Sequence, residues 1–319
     1  MMKTTFKQTR EKIHIGPAVT YENLCIFPLI SSQDSALNYL GMKTALTKKL
    51  IEIQEISEAG SVPDLNVVNH SELPVLIVDG EELAGAKQNR IANTSILLAA
   101  GTTTKIPVSC TEQGRWRYNS RSFSDSGIVM SSRARVSKNH RVSSNLKQAR
   151  GFDAEQREVW RDVESLHFRG STRSDTHAMK DAYELKQKQI TAYVQAFPLE
   201  AGQKGMIVFM NGELAGMDYV SRFAAYADVH EKFLKSHAIE ALTEIKTGWS
   251  VDGFEETAEM FLDNLLTLPA TEHPSVGLGK DFRLEGPDAG SAMLTFGEEV
   301  VHWNAFPSSM IDNPGRYIG

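Results

Sequence analysis

Residues 73–90 read LPVLIVDGEELAGAKQNR. An apolar run from Leu73 to Val78 ends in Asp79-Gly80. Two acids follow, Glu81 and Glu82, then Leu-Ala-Gly, then the cluster Lys87, Gln88, Asn89 and Arg90. Asp-Gly tolerates positive φ at both central turn positions, so the stretch predicts a tight antiparallel hairpin. Gly85 permits a bulge or a close backbone approach. Charged and amide side chains crowded beside a strand of buried character mark either a decorated hairpin tip or the rim of a binding site.

The stretch has an echo. MNGELAG (210–216) matches VDGEELAG (78–85) with one residue deleted, and an arginine follows each, Arg90 and Arg222. LTFGEEVVHWN (294–304) is a looser relative. Two explanations stand: unrelated hairpins that share turn chemistry, or two lobes descended from a degenerate duplication.

Short apolar runs surround the opening stretch. LCIFPLI (24–30), interrupted by Pro28, IEIQEI, LNVVN, TSILLAAG and TKIPVSC read as strands, which predicts a mostly antiparallel β region over 15–120. Residues 115–150 read as a long loop or weakly structured arm, rich in Ser and Arg with little apolar periodicity. From Asp153 the period becomes helical, and Asp153 with Gln156 resembles a capping box. A second helix is predicted over 176–196, a third opening at Asp228 with Glu231, and a fourth carrying Phe254, Phe261 and Leu265. Strands return in KGMIVFMNGELAGMDYV, DFRLEG and SAMLTFGEEVVHWNAF. The fold class is α+β: a β-rich N-terminal part, a helical middle and β-hairpin returns in the C-terminal half. The organisation is one domain over 1–319, or two intimate lobes (15–120 and 150–319) joined by the basic 115–150 segment.

The 319 residues are 41% hydrophobic and 23% charged, which is ordinary for a packed chain. Two cysteines, Cys25 and Cys110, make no disulfide framework. MMKTTFKQTR is polar and lacks a hydrophobic signal core, and no run approaches a membrane span. The expectation is a cytoplasmic protein with no membrane partner. The net charge of −6 argues against general nucleic-acid binding.

The charge is unevenly placed. Residues 115–150 carry Arg115, Arg117, Arg121, Arg133, Arg135, Lys138, Arg141, Lys147 and Arg150 against Asp125 alone, a net +8, which leaves −14 elsewhere. Arginine forks, serine hydroxyls and the flat rings of Trp116, Tyr118 and Phe123 suit a phosphate-bearing or nucleotide ligand. A solvated arm paired with acids of the same chain is the competing reading. Cys110 reads as a buried structural cysteine, with Glu112, Gln113 and Arg115 at the exit of its strand. The nine histidines show no HxH or HExxH spacing, and the chain has no CxxC, Walker loop, GxGxxG or GxSxG motif. No metal site and no cofactor is evident.

The blocks DGEELAGAKQNR and IPVSCTEQGRWRY, within residues 75–118, resemble the signature of the ARPP-1 family, the ARG and rhodanese-phosphatase-superfamily-associated protein domain. The later NGELAG and VVHWNAF segments are similar too, so the resemblance takes in the whole chain. It implies a role in NAD or ADP-ribose metabolism, with ADP-ribosylglycohydrolase-associated or phosphatase-associated proteins in the same pathways. It carries no settled mechanism.

The expected function is binding or processing of an ADP-ribose-type or other phosphate-bearing nucleotide, by a hydrolase or transferase if the chain is an enzyme. Glu82 and Glu112 are the candidate catalytic carboxylates. Glu81, Lys87, Gln88, Asn89, Arg90, Gln113, Arg115, Trp116, Arg133, Arg135 and Arg222 are the candidate ligand-binding residues, gathered in one cleft. A non-enzymatic interaction module whose basic arm grips an acidic partner is the alternative. A metal-dependent β-barrel hydrolase is a weaker one.

Overall fold

The computed structural model describes residues 2–57, 63–116, 118, 120 and 122–310. Arg117 and Arg121 of the basic segment lie outside the described residues. In chain order the first half comprises α1 (Met2–Glu11), β1 (His14–Ile15), β2 (Val19–Tyr21), β3 (Leu24–Ile30), β4 (Leu40–Gly41), α2 (Met42–Thr47), β5 (Ile51–Glu55), β6 (Asp64–Asn69), β7 (Val75–Ile77), β8 (Glu81–Gly85), β9 (Arg90–Ala92), β10 (Ile96–Leu98), β11 (Thr103–Cys110) and β12 (Phe123–Val129). Four helices follow: α3 (Ser132–Lys147), α4 (Gln156–Arg169), α5 (Met179–Leu185) and α6 (Gln187–Ala196). The rest is β13 (Gln203–Met210), β14 (Glu213–Val220), α7 (Phe223–Ala241), α8 (Phe254–Leu265), β15 (Ala270–Pro274), β16 (Lys280–Glu285), β17 (Ala289–Phe296) and β18 (Glu299–Pro307). The class is α+β with predominantly antiparallel sheets.

A nine-stranded sheet runs β1-β3-β13-β14-β18-β17-β16-β15, with β2 added alongside β3. Strand alternation divides its side chains between two cores. Leu24, Ile26, Met206 and Val208 lie in the core beneath α6 and α7, while Cys25, Phe27, Ile207 and Phe209 face α8 and Phe6 of α1. Because both faces are covered, β13 is buried along its whole length. β3 runs through Pro28 without a break, contrary to the interruption expected there.

The second layer is a sandwich. A six-stranded sheet, β12-β8-β9-β11-β6-β5, packs on a three-stranded one, β10-β7-β4. Leu83, Ile53, Val67 and Val108 meet Val75, Ile77, Ile96 and Leu98 between them. The opposite face of the small sheet, through Leu76 and Leu97, joins the core under α7.

Several expectations are corrected here. From Phe123 onward the basic segment is not an arm: it folds into β12 and the 16-residue helix α3. Asp153 and Gln156 form no capping box. The Asp153 carboxylate accepts from Glu155 N at 2.8 Å, and the Gln156 amide pairs with the backbone N and O of Cys110. The helix predicted over 176–196 is two, α5 and α6. Asp228 does not open α7, which begins at Phe223; its carboxylate instead accepts from Thr44 N and Oγ1.

Candidate functional site

The opening stretch makes a turn but not a hairpin. Glu81 N donates to Val78 O at 3.1 Å across Asp79-Gly80, and Gly80 has φ +80°, which glycine adopts without strain. The strands on either side never pair with each other. β7 pairs with β10 and β4, while β8 pairs with β9 and β12. Asp79-Gly80 is thus a corner that carries the chain between the two layers of the sandwich. The echo at 210–213 is a true two-residue hairpin, with Asn211 at φ 51° and Gly212 at φ 86°. The two glycines that end ELAG share an unusual backbone, φ +132° at Gly85 and +142° at Gly216.

Past the corner, the two glutamates part to opposite faces of β8. Glu81 points inward: Lys232 of α7 donates to its Oε1 at 2.7 Å, and Val78 N to its Oε2 at 2.7 Å. Asp125 shares the same ammonium at 2.7 Å. Burial pushes the Glu81 carboxyl upward, against the pull of Lys232.

Glu82 is fully buried on the other face. Thr111 Oγ1 donates to its Oε1 at 2.7 Å, and the Ser126 hydroxyl stands close to the carboxylate as well. Burial raises this carboxyl to about 7. The neighbouring ladder is broken at the same place. Asp125 of β12 pairs with Leu83 and Val129 pairs with Glu81, so Ser126, Gly127 and Ile128 together oppose Glu82. Such an insertion bends a strand and re-aims its side chains.

All three bulge residues line a cavity of about 660 Å³ between β12 and the helices α5, α6 and α7. Tyr183, Lys180, Lys235 and Glu231 line it too. Lys235 Nζ donates to Gly127 O at 3.0 Å, and burial pulls its pKa down. A second cavity of about 330 Å³ is lined by Ala84, Asn89, Glu112, Arg115 and Asp181. Both cavities are also lined by Lys180 and Glu184, a 3.1 Å ion pair one helical turn apart, so the two adjoin at that pair like arms of a cleft. Ala84 and Glu82 lie on the same face of β8. Glu82 itself lines neither cavity, while Ala84 on its face of β8 and the bulge opposite it do.

Part of the expected rim assembles at the smaller arm. Arg115 donates to Ala86 O at 2.8 Å and to Asn89 Oδ1 at 3.2 Å, and pairs with Glu112 at 2.6 Å. Asn89 N donates to Glu112 Oε2 at 3.3 Å, and Gln88 Nε2 to Gln113 O at 3.4 Å. Arg90 is fully buried beneath, 3.0 Å from Gln88 Oε1 and within ion-pair range of Glu55 at 3.6 Å. It also donates to the thiol of Cys110, which burial pushes up to about 11. Trp116 lies over both Lys87 and Arg90, at 5.3 and 5.8 Å from ring centre to cation.

Arg133, Arg135 and Arg222 do not join this rim. Arg133 pairs with Glu240 and Glu244 at the end of α7. Arg135 is fully buried against Asp218 of β14. Arg222 precedes α7, where its backbone N donates to the Tyr39 hydroxyl at 3.1 Å and its Nη1 reaches Leu37 O at 3.5 Å. The other basic residues of α3 behave alike: Lys138 pairs with Asp79, Arg141 with Asp162 and Lys147 with Glu285. Desolvating that many cations requires acids beside them, and the surplus negative charge of the rest of the chain supplies those acids. The described basic residues of α3 are therefore paired with acids of the same chain, which weighs against the solvated basic arm of the interaction-module reading.

Sequence reasoning missed Ser126, Lys180, Lys235 and Lys232. One signal was present. Gly127 inside the strand-like FSDSGIV marks a bulge. The lysines carried none, because their helices contact β12 only in three dimensions. Among the described residues, no three His, Cys, Asp or Glu side chains are grouped so as to hold a metal ion. No described helix is long and apolar enough to cross a membrane.

A family model, ARG and Rhodanese-Phosphatase-superfamily-associated Protein domain, matches residues 12–306. The chain belongs to the ARPP-1 family. Searches of curated proteins and of solved structures found no match. The family match reaches from before β1 to Phe306 of β18, so in this ARPP-1 member it includes β8, the β12 bulge and the residues lining both cavities. The family's name associates it with ARG and rhodanese-phosphatase-superfamily proteins, a loose link to ADP-ribose or phosphate chemistry.

Proposed function

We propose that this ARPP-1 protein binds and processes a small phosphate-bearing metabolite of the ADP-ribose class in the cleft between β8, β12, α5 and α6. The observation that carries the reading is the three-residue bulge opposite Glu82. It lines the larger arm of the cleft and lies against a buried carboxyl that titrates near 7. A group poised near neutrality is suited to move a proton in either direction. The cleft lining is mixed in charge. Arg115, Lys180 and Lys235 offer cations, while Glu112, Asp181 and Glu184 offer carboxylates. Cations suit phosphate oxygens, and carboxylates and amides accept hydrogen bonds from ribose hydroxyls. Glu82 serves as the general acid or base, and Glu112, fixed by Arg115, orients a hydroxyl at the smaller arm.

Calorimetric titration with ADP-ribose tests this. Saturable heat with the wild-type protein, reduced in Lys180→Ala and in Lys235→Ala, supports the reading. No heat and no thermal shift at millimolar ADP-ribose overturns it.

A further inference from the structure

We infer that the half-exposed rings of Trp116 and Tyr118 form a stacking platform for a flat heteroaromatic base, which places the base end of the ligand at the smaller arm and the ribosyl-phosphate end at the Glu82 bulge. The inference rests on the cleft reading above and gives it a direction.

Large aromatic side chains are usually withdrawn from water, yet Trp116 is 49% and Tyr118 50% exposed. Both stand against cations. The Lys87 ammonium sits 5.3 Å from the Trp116 ring centre and 5.2 Å from that of Tyr118, and the Arg90 guanidinium carbon sits 5.8 Å from Trp116. Lys87 is itself 9% exposed and Arg90 is fully buried, so these cations are desolvated supports. A cation drawn from water onto a ring binds it more strongly than one left in solvent. The rings are thereby anchored by cations, while about half of each side chain's surface remains exposed.

The platform adjoins the cleft through shared residues. Arg115, next to Trp116, lines the smaller arm and bonds to the carbonyls of Gly85 and Ala86. Asn89 lines the same arm from the loop that carries Lys87. Ser120, two residues beyond Tyr118, also lines it and accepts from Ala86 N at 3.0 Å. From Gly85 back along β8 to Glu82 is three residues, about 10 Å at the rise of a strand. A diphosphate bridge between two nucleoside-sized ends covers such a separation, and it would pass Arg115 and Lys180.

The test compares two probes in calorimetry: ADP-ribose, which carries a base, and ribose 5-phosphate, which does not. Trp116→Ala is expected to weaken ADP-ribose binding about tenfold, the scale of one lost base–aromatic stack, and to leave ribose 5-phosphate unchanged. Trp116→Phe is expected to restore most of the loss, and Tyr118→Ala to show a smaller one. If Trp116→Ala binds ADP-ribose as the wild type does, or loses both probes equally, the platform is overturned and the cleft reading survives. If the wild-type protein binds neither probe, the cleft reading itself has failed and the platform falls with it.

Discussion

Arg135 and Asp218 meet as a two-pronged ion pair, Nη1 to Oδ2 at 2.8 Å and Nη2 to Oδ1 at 2.6 Å, with both side chains out of contact with solvent. The pair fastens α3 to β14 in the middle of the nine-stranded sheet. Phe233 and Phe306 cover the guanidinium, at 5.1 and 5.2 Å from its carbon to the ring centres. Burial alone would push the Asp218 carboxyl up, but Arg135 overrides it and holds the group at about 2.

Removing one partner should therefore be worse than removing both. Arg135→Leu leaves a buried carboxylate unpaired and is expected to cost roughly 3–5 kcal/mol. The double variant Arg135→Leu/Asp218→Leu is expected to lose clearly less than the two single losses combined. Urea unfolding of all four proteins measures the coupling, and simple additivity would contradict it. The folded carboxyl titrates below its unfolded value. Its stabilising contribution is thus complete above about pH 4 and disappears as pH falls through about 2.

Glu82 has the opposite sign. Its folded carboxyl is raised from 4.5 to about 7, so the folded state holds the proton more tightly than the unfolded chain. Its contribution is fully present below about pH 4.5 and is lost as pH rises through 7, by roughly 3 kcal/mol at most. Glu82→Gln keeps an acceptor for Thr111 and removes the titration. The variant is expected to be more stable than wild type at pH 9 and to show a flatter profile between pH 5 and 9. Unfolding curves at three pH values decide this, and parallel wild-type and variant profiles would count against a neutral-range Glu82.

The smaller arm depends on a glycine. Gly85 has φ +132°, and a Cβ there would lie 2.6 Å from Ser120 Oγ and 2.8 Å from Ser122 O. Gly85→Ala is expected to cost about 1–3 kcal/mol and to disturb the Arg115 contacts with Gly85 and Ala86. Gly101→Ala is the control, since Gly101 also has positive φ, +64°, but nothing lies within 4 Å of its Cβ position. A loss at position 85 no larger than that at position 101 would show that the crowding there is relieved without consequence.

We propose that the chain folds as one unit and not as two separable lobes. β3, from the first thirty residues, sits between β1 and β13 of the nine-stranded sheet and supplies side chains to both cores beside it. A fragment of residues 150–319 would lack that strand and leave the buried β13 with an open apolar edge. The whole chain is expected to unfold in a single transition, and the fragment to aggregate or bind a hydrophobic dye. A soluble 150–319 fragment with a cooperative transition of its own would refute the proposal.

Much of the local structure was legible in the residues. LCIFPLI, IEIQEI, LNVVN and TKIPVSC are strands, and Phe254–Leu265 is a helix, because period and β-branching act within a few residues. Asn211-Gly212 makes the hairpin that its turn chemistry demands. Asp79-Gly80 has equally apt chemistry and makes a corner, since a turn type does not decide which strands its flanks will pair with. In the candidate site, the association of Glu112, Arg115, Gln88 and Asn89 was readable from two compact blocks. Ser126, Lys180 and Lys235 were not, as they arrive from β12, α5 and α7.

By itself the sequence determined the α+β class, most strands, the ARPP-1 membership and the charge imbalance between 115–150 and the rest. Only the tertiary structure decided what that imbalance does. Sequence counts charges, but whether a cation faces water, a ligand or an acid of its own chain depends on which elements are packed against it. Here one face of α3 is buried, so Arg135 and Lys138 answer Asp218 and Asp79 within the core. The cleft opens instead where a bulge in β12 parts the ladder opposite Glu82.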